Sequence, residues 1–275
     1  MSNDILSVGE LKKLLHSDRQ VRIVDVSFDI FDSDSGFHTH EDRHIPGAVY
    51  AHLDNDLSSP QIKGVTGRHP LPDVLKFNAF LGSIGLKSDN HVVVYDQGHS
   101  GFAARMWWLL KWIGHENVSV LDGGMKAWLN SGGTTRSGLE TFAQSVYHGS
   151  PDNNMAVDRE DLVGAVDTVI VDSRDEPRYL GIEEPIDPVK GHIPKAINYP
   201  WKANLTKDGA WKDKMELRNR FENLEGEVVF YCGSGVTACH NILAYKASGK
   251  GMAKLYPGSW SHWITDPDAK IVIGS

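Results

Sequence analysis

One of the two cysteines in this 275-residue sequence lies in a setting that makes a thiol reactive. Cys232 follows the apolar run VVFY and precedes the sequence GSG, after which a helical pattern begins. A cysteine between a buried strand and a helix faces the unpaired N–H groups and the positive dipole end of that helix, which favour thiolate over thiol. The glycines let successive backbone N–H groups turn towards one anion, such as a thiolate or the outer sulfur of a persulfide. The residues predicted to form this anion cradle are Gly233, Gly235, Val236, Thr237 and Ala238.

The same loop geometry serves other chemistries, and the sequence argues against two of them. A phosphate-binding loop needs a Gly-Lys-Ser/Thr sequence, and a cysteine-dependent phosphatase needs an arginine that closes the loop. The segment CGSGVTA has neither. Two alternatives remain open: a Cys–His hydrolase whose base comes from elsewhere in the chain, and an inert buried cysteine. Cys239 lies too far along the chain from Cys232 for a Cys-x-x-Cys pair, so no resolving disulfide is expected.

The chain contains an internal repeat, which places a second copy of this loop in its first half. Three pairs of segments match in the same order: 23–50 with 170–200, 92–104 with 228–238, and 121–129 with 256–264. In this alignment Asp96 stands opposite Cys232. The first half therefore has the loop without the nucleophile, and we expect a single catalytic site in the second half.

The elements around both loops alternate between strands and helices. Short apolar, β-branched runs predict buried strands at 21–26, 92–95, 169–172 and 228–231. Helical patterns follow at 102–112 and 236–247, and Ser7 with Glu10 has capping-box spacing for an early helix. This order predicts an α/β fold with two domains, each a mainly parallel sheet flanked by helices. The expected boundaries are 1–136 for the first domain, 137–154 for the linker and 155–275 for the catalytic domain.

Five short motifs make the sequence similar to a known family. They are HIPGA at 44–48, LDGG at 121–124, GHIP at 191–194, CGSGVTA at 232–238 and GSWSHW at 258–263. On these motifs the chain resembles, between residues 7 and 264, the two-domain sulfurtransferases that include rhodanese and 3-mercaptopyruvate sulfurtransferase. The resemblance implies tandem duplicated rhodanese-like domains, and a sulfane sulfur that passes through a persulfide on Cys232 to a thiol or cyanide acceptor. It implies no cofactor.

The residues after the cysteine separate donor preferences in this family. Thiosulfate enzymes of this type carry Cys-Arg-Lys-Gly-Val-Thr-Ala, whereas mercaptopyruvate enzymes carry Cys-Gly-Ser/Thr-Gly-Val-Thr-Ala, which is the form present here. A doubly charged thiosulfate is helped by cations beside the sulfur, so the uncharged loop favours 3-mercaptopyruvate as the donor. A thiosulfate:cyanide sulfurtransferase and a persulfide-relay module that serves a protein acceptor are the alternatives.

The resemblance also implies a proton relay. In mercaptopyruvate enzymes the relay consists of an aspartate, a histidine and a serine, which match Asp54, His69 and Ser234 in this chain. Such a relay moves a proton from the donor thiol or to the pyruvate enolate.

Donor binding is a further implication of the resemblance. Two arginines hold the substrate carboxylate in the family, and the first of them matches Arg178. A guanidinium group suits this role because its planar fork binds a carboxylate through two hydrogen bonds. Ile186 stands where the second arginine is expected, and Lys190 is a candidate to replace it.

The composition limits the classes of binding partner and the cellular compartment that we expect for this chain. The net charge of -8 argues against a nucleic-acid or anionic-membrane surface, and no apolar run is long enough to span a membrane. The 13 histidines lack zinc-ligand spacing, so no metal site is expected. Both cysteines lie in one short segment, which favours a reducing cytoplasm over a disulfide framework. The expected partners are a small-molecule sulfur donor and a thiol acceptor, such as a thioredoxin-like protein or a low-molecular-weight thiol.

Two repeated histidines and two tryptophans near the site are expected to have different roles. His44 and His192 occur in both copies of the HIP motif, although only one loop copy has a cysteine. We therefore interpret these histidines as turn and packing residues. Trp260 and Trp263 follow a glycine turn near the site, and we expect them at its rim.

Overall fold

The computed structural model describes residues 4–275, which divide into two compact units. The first unit comprises the chain up to Ser59 together with Leu71–Asp152 and Lys207–Trp211. The second unit comprises Pro60–Pro70, Asn153–Thr206 and Lys212–Ser275. Within residues 4–275, no helix is both long and apolar enough to cross a membrane. In the same range, no group of three or more His, Cys, Asp or Glu side chains is arranged to hold a metal ion.

The first unit is built on a five-stranded parallel sheet. Its strands are β1 (Ile5–Leu6), β2 (Val21–Asp25), β3 (Ala48–Tyr50), β4 (His91–Tyr95) and β5 (Val118–Leu121). They lie in the order β1-β5-β4-β2-β3. The helices of this unit are α1 (Val8–Leu15), α2 (Ser35–Asp42), α3 (Val74–Ser83), α4 (Gly101–Trp112) and α5 (Gly124–Asn130). Parallel neighbours need crossover connections, and helices provide most of them here.

Two central strands carry the cysteine-less loop of the first unit. β2 and β4 pair in parallel and end together, with Asp25 beside Tyr95. Every residue of β4 is buried, as expected for a run of apolar residues without alternation. α4 follows the loop, and its side chains Trp107 and Trp108 are fully buried. Earlier in the chain, the predicted capping box of Ser7 with Glu10 starts α1.

The second unit is built on a four-stranded parallel sheet. Its strands are β6 (Thr168–Asp172), β7 (Ile197–Asn198), β8 (Glu227–Tyr231) and β9 (Lys254–Leu255). They lie in the order β7-β6-β8-β9. The helices are α6 (Arg159–Gly164), α7 (Glu176–Tyr179), α8 (Lys214–Arg220), α9 (Thr237–Tyr245) and α10 (Ser259–Trp263). Short 3-10 turns lie at Asn153–Met155 and Trp201–Asn204, and a π turn lies at Lys246–Lys250.

Equivalent contacts stabilise the HIP motif in both units. The tyrosine that ends the central strand accepts the N–H of the motif's isoleucine: Tyr95 accepts from Ile45 and Tyr231 accepts from Ile193, each at 3.2 Å. The two motif histidines are also buried. Nδ1 of each donates to a backbone carbonyl at 2.8 Å, which agrees with the structural interpretation of both side chains.

The stretch from 137 to 152 has no helix or strand, yet it contacts the first unit closely. Gly149 and Asn78 exchange two hydrogen bonds of 3.0 and 2.9 Å. The Asp152 N–H donates to the carbonyl of Trp112 at 2.7 Å. The expected domain boundaries at 136 and 155 remain a prediction.

Candidate active site

The candidate nucleophile stands where β8 gives way to α9. The residues of β8 from Val228 to Tyr231 are buried, because the strand lies between β6 and β9. α9 begins at Thr237. Cys232 lies between the two elements and is only 2% exposed, so its thiol meets the N-terminal turn of α9 in the protein interior.

Hydrogen-bond donors surround the sulfur of Cys232. The Gly235 N–H donates to Sγ at 3.2 Å. Burial raises the pKa of the Cys232 thiol, but hydrogen bonds from the Thr237 hydroxyl and from the N–H groups of Ser234, Ala238 and Gly235 act in the opposite direction. The net effect lowers the pKa of Cys232, so the folded chain holds more thiolate at a given pH than an unperturbed cysteine does. The two other residues of the expected cradle, Gly233 and Val236, are buried in the same loop.

Gly235 allows the loop to turn back on the sulfur. Its φ is +77°, in the left-handed region that favours glycine. A Cβ at this position would lie 2.4 Å from the carbonyl oxygen of Pro257. The carbonyl of Gly235 accepts the thiol of Cys239 at 3.3 Å. Because a Cβ would meet Pro257, any residue larger than glycine at position 235 would push the loop away from the segment that follows β9.

That segment, residues 256–261, clamps the backbone of the loop. The hydroxyl of Ser259 accepts the Cys232 N–H at 3.1 Å and donates to the carbonyl of Tyr256 at 2.9 Å. The Trp260 N–H donates to the carbonyl of Cys232 at 3.0 Å. The Ser261 N–H donates to the carbonyl of the next loop residue, Gly233, at 2.9 Å. We call residues 256–261 the clamp segment.

The expected position of two tryptophans at the rim of the site was wrong. Trp260 and Trp263 are 0% and 4% exposed and belong to the core of the second unit. Their indole N–H groups donate to backbone carbonyls of Val189 and Lys270. The sequence identified the right segment, but it reaches Cys232 through the Trp260 N–H and the Ser259 hydroxyl and not through the aromatic rings.

Two of the predicted relay residues are in contact. Nδ1 of His69 lies 2.8 Å from the hydroxyl of Ser234. Both side chains are buried, with 8% and 6% exposure. Ser234 is the second residue after Cys232, so this contact places an imidazole beside the cradle. A serine and a histidine in hydrogen-bond contact can pass a proton between them.

The segment Pro60–Pro70 brings His69 to the loop, and the clamp segment holds it there. A Cβ on Gly67 would lie 2.5 Å from the carbonyl oxygen of Gly258, so only glycine allows this approach. The next residue, Arg68, donates its backbone N–H to the hydroxyl of Ser261 at 3.1 Å. The two residues that make these contacts immediately precede His69 in the chain. The contacts therefore fix the position of the His69 backbone.

The third predicted relay residue belongs to the first unit. Asp54 follows β3, and its backbone N–H donates to Nδ1 of His52 at 3.1 Å. The role of Asp54 in a relay with His69 stays a prediction.

Arg178 lies beside the loop. Its guanidinium contacts Glu184, with Nη2 2.7 Å from Oε1, and Asp187, with Nη2 3.2 Å from Oδ2. A Cβ on Gly233 would lie 3.3 Å from the same nitrogen. Lys190 is exposed, and its Nζ donates to the carbonyl of Ile182 at 3.0 Å. The expectation that Lys190 binds the donor stays a prediction.

Arg68 is a residue of the site that the sequence did not single out. A Cβ on Gly233 would lie 2.8 Å from Nη2 of Arg68, which is nearer than any nitrogen of Arg178. Nη1 of Arg68 forms an ion pair with the carboxylate of Asp187, which Arg178 also contacts. The sequence offered one signal that could have identified Arg68: it directly precedes the predicted relay residue His69 in the sequence GRHPLP.

The equivalent loop of the first unit holds a carboxylate. Oδ1 of Asp96 accepts the N–H groups of Gly98 at 3.0 Å, His99 at 3.2 Å and Ser100 at 2.9 Å. Oδ2 accepts two more N–H groups from the first turn of α4, at 3.2 and 3.4 Å. Asp96 is 1% exposed. This loop is therefore an anion cradle that the chain fills with its own side chain.

Comparisons with known proteins agree with this geometry. A Rhodanese-like domain family model matches residues 7–131 and again residues 156–266. The chain is 41% identical to a probable 3-mercaptopyruvate sulfurtransferase of Pseudomonas aeruginosa, over 99% of each chain. It is 35% identical to a putative thiosulfate sulfurtransferase, SseB, of Mycobacterium tuberculosis, over 98% of this chain and 97% of that one.

A solved structure also matches. The crystal structure of SseA from Escherichia coli, described as a 3-mercaptopyruvate sulfotransferase, superposes with a TM-score of 0.82 and 27% identity. The match covers 94% of this chain and 100% of the other. Together with the two family-model matches, it confirms the predicted α/β fold of two rhodanese-like domains. This chain belongs to the rhodanese family and is a sulfurtransferase.

Proposed function

We propose that the chain transfers a sulfane sulfur from 3-mercaptopyruvate, through a persulfide on Cys232, to a thiol or cyanide acceptor. The observation that carries this proposal is the set of donors around Sγ of Cys232. Backbone N–H groups and the Thr237 hydroxyl lower the pKa of this thiol even though burial opposes them. A lowered pKa supplies the nucleophile, and the same donors suit the persulfide anion that replaces it.

The first half-reaction moves one sulfur atom to the enzyme. The Cys232 thiolate attacks the donor sulfur, an S–S bond forms, and the C–S bond of mercaptopyruvate breaks. The electron pair of that bond goes to carbon and gives the enolate of pyruvate. The proton of the donor thiol moves to this carbon, so the products are pyruvate and the Cys232 persulfide anion. The contact between Ser234 and His69 supports a role in this proton transfer, with Asp54 as the proposed third member.

The second half-reaction returns the enzyme to its starting state. An acceptor thiol attacks the outer sulfur of the persulfide, and the S–S bond breaks to release the Cys232 thiolate. The acceptor leaves as its own persulfide. We propose a low-molecular-weight thiol or a thioredoxin-like protein as the acceptor, and the cytoplasm as the compartment, because such thiols stay reduced there.

A second donor, thiosulfate, is also supported by specific observations. One relative is named a putative thiosulfate sulfurtransferase. In addition, the loop carries no cation of its own, but the guanidinium groups of Arg68 and Arg178 lie at Gly233. With thiosulfate the same thiolate attacks the outer sulfur, an S–S bond breaks, and sulfite leaves with the electron pair. We propose 3-mercaptopyruvate as the preferred donor, with its carboxylate at Arg178.

The test compares Cys232→Ser with Cys239→Ser. Both cysteines are buried, but only Cys232 lies at the cradle, so Cys239→Ser is the matched control. After donor treatment, wild type and Cys239→Ser gain about 32 Da in intact mass, the mass of one sulfur atom, and both produce pyruvate. Cys232→Ser shows neither change. Full transfer by Cys232→Ser would contradict the proposal.

Donor preference is measured on one preparation. The ratio of kcat/KM for 3-mercaptopyruvate to kcat/KM for thiosulfate reports the difference in transition-state binding directly. A ratio above one supports the preferred donor proposed here, and a ratio below one favours thiosulfate.

A further inference from the structure

The first unit contains an open cavity of about 780 Å³. It lies beside β3, the edge strand of the five-stranded sheet, whose residues Val49 and Tyr50 form part of its wall. The rest of the wall comes from α2, the loop after β3, the end of α3 and the stretch 139–144. All of these segments belong to the first unit, so this unit forms the cavity by itself.

The wall of this cavity is negatively charged. It includes the carboxylates of Asp34, Asp56 and Glu140, and no lysine or arginine of the described chain lines it. Glu140 already has partners, since its Oε1 accepts the Gly47 N–H at 3.0 Å and contacts Nη1 of Arg136 at 3.2 Å. The Asp34 side chain makes no capping hydrogen bond at the start of α2. Within the part of the chain that the structure describes, neither Asp34 nor Asp56 forms an ion pair with a lysine or arginine.

The pKa of Tyr50 reports the negative potential in the cavity. Burial raises the pKa of the Tyr50 hydroxyl, and nearby carboxylates raise it further, in the order Asp25, Asp56, Asp34 and Asp54. A second negative charge is therefore unfavourable at this position. A wall with such a potential attracts a cation and repels an anion.

Aromatic rings make the same wall suitable for an organic cation. Phe37 and Tyr50 pack edge to face, with ring centroids 5.6 Å apart. Phe142 also lines the cavity, and its ring already holds the guanidinium of Arg22, with Cζ 3.4 Å from the ring centroid. Ring faces attract cations and also provide apolar contact area. The wall therefore fits a ligand that combines a positive charge with an apolar body.

His52 adds a hydrogen-bond donor to the wall. This residue lines the cavity and is 9% exposed. Its Nδ1 accepts the N–H groups of Asp54 at 3.1 Å and Asn55 at 3.4 Å, so the proton of the neutral ring is on Nε2. Among residues 4–275, this Nε2–H has no hydrogen-bond partner, and it is not sealed from solvent. An acceptor on a ligand can therefore reach it.

We propose that this cavity binds a small organic cation with an apolar body. Its ammonium group pairs with Asp34 and Asp56, its body contacts Phe37 and Tyr50, and an oxygen close to the charge accepts the Nε2–H of His52. An α-amino amide has all three features in one small molecule. The site goes beyond sulfur transfer, because none of these five residues belongs to the proposed thiolate cradle or proton relay.

The first experiment measures binding to the wild-type chain by isothermal titration calorimetry at about pH 6.5, where an α-amino group is protonated. Phenylalaninamide carries the ammonium group, a ring and a carbonyl oxygen, whereas N-acetylphenylalaninamide has the same body without the charge. We expect phenylalaninamide to bind about tenfold more tightly, because only its ammonium group pairs with the two carboxylates. Equal affinities, or no binding of phenylalaninamide, overturn the proposal.

The second experiment locates the site with Asp34→Asn and Asp56→Asn, made singly and together. An asparagine at position 56 keeps an oxygen for the His52 N–H, which Asp56 accepts at 2.7 Å. We expect each change to raise Kd for phenylalaninamide about threefold to fivefold, and the pair to raise it about tenfold or more. Asp42→Asn is the matched control, because Asp42 is exposed on the same helix that Asp34 precedes and does not line the cavity. A double variant that binds as tightly as Asp42→Asn overturns the proposed site.

The third experiment tests the donor on His52 by changing the ligand and the residue together. Phenethylamine lacks the carbonyl oxygen, so wild type should bind it about threefold to tenfold more weakly than phenylalaninamide, the usual value of one hydrogen bond. His52→Asn keeps an oxygen for the N–H groups of Asp54 and Asn55 but removes Nε2. This variant should bind both ligands equally. If it keeps the wild-type preference for phenylalaninamide, His52 does not contact the ligand and the proposed arrangement is wrong.

Discussion

Cys232 and Asp96 place different anions in the same kind of loop. In the first unit a carboxylate accepts N–H groups at distances from 2.9 to 3.4 Å. In the second unit the sulfur of Cys232 accepts the Gly235 N–H at 3.2 Å. The loop geometry therefore provides the stabilisation of negative charge, and the residue at the first position decides whether that charge is reactive.

Thr237 offers a direct test of how the loop lowers the pKa of Cys232. Its hydroxyl is the largest of the hydrogen-bond contributions that lower this pKa. Thr237→Val removes the hydroxyl at nearly constant volume, so the pKa of Cys232 rises. The thiolate fraction grows as pH rises through the pKa, so the pH profile of Cys232 alkylation moves to higher pH. At a pH below the pKa, alkylation slows about tenfold when the pKa rises by about 1.

The control for this profile is Thr265→Val in the same unit. The Thr265 hydroxyl donates to the carbonyl of His262, away from the sulfur. We expect the pH profile of Cys232 alkylation in Thr265→Val to follow that of wild type. If Thr237→Val also follows wild type, the backbone N–H groups alone hold the thiolate.

The proposed role of His69 in proton transfer can be tested by comparing the two donors. Mercaptopyruvate needs a proton at carbon when its C–S bond breaks, whereas thiosulfate releases sulfite without protonation of carbon. We expect His69→Asn to lower kcat for 3-mercaptopyruvate by about 100-fold or more, the usual effect of losing a general acid or base. Transfer from thiosulfate falls much less. Exposed His148→Asn is the control, and equal losses with both donors would show that His69 acts only through packing.

The residues of the site differ in how far the sequence alone could identify them. Cys232 could be predicted because its signals are local: a buried strand, two glycines and a helix start. Arg68 could not, because its position at Gly233 depends on the approach of Gly67 to Gly258, which are far apart in sequence. The prediction for the rings of Trp260 and Trp263 failed for a related reason, since burial and not chain position decides where they point.

At the scale of elements, the four strands that were predicted are observed within one residue of their expected ends, and the helix ends were predicted less well. The strand predicted at 92–95 is observed as His91–Tyr95, because an apolar β-branched run fits a sheet covered on both faces. The helix predicted at 236–247 ends as an α-helix at Tyr245. The chain continues there as a π turn and reaches Gly249 with a φ of +93°, a backbone change that the apolar pattern does not encode.

The clamp segment leads to a prediction about stability. Ser259 has a φ of +55°, which is unfavourable for a residue with a side chain, and its hydroxyl is the acceptor for the Cys232 N–H. Ser259→Ala keeps the strained backbone and leaves that buried N–H without its acceptor, at a cost of about 1–3 kcal/mol. Ser259→Gly loses the same acceptor but relieves the strain, so it destabilises less.

Urea unfolding of both variants and wild type measures these differences as free energies of unfolding. The expected order of stability is wild type, then Ser259→Gly, then Ser259→Ala. If Ser259→Ala were the more stable of the two variants, the left-handed backbone would not be a source of strain here.

At the scale of the whole molecule, each unit includes a short segment whose neighbours in the chain belong to the other unit. Pro60–Pro70 belongs to the second unit although the chain on both sides of it belongs to the first, and Lys207–Trp211 shows the reverse. The repeat in the sequence predicted two domains, but such exchanges depend on tertiary contacts that a linear alignment does not show. One of them bears on the proposed function, because Pro60–Pro70 carries both Arg68 and His69 to the Cys232 loop.

Within residues 4–275, the two matching loops form an anion cradle each, and only the second holds the candidate nucleophile Cys232. The structural role of Asp96 can therefore be tested separately from catalysis. Asp96→Asn replaces one acceptor oxygen by an NH2 group that faces N–H donors, and it removes the charge that those donors favour. We expect the free energy of unfolding of the first unit to fall by about 2–4 kcal/mol, as buried donors lose a charged acceptor. The exposed Asp18→Asn, in the same unit, is the control and stays close to wild type. Sulfur uptake by Cys232, measured by intact mass at a temperature where the variant is folded, remains one atom per chain. Loss of uptake with unchanged stability would instead give the first cradle a part in the reaction.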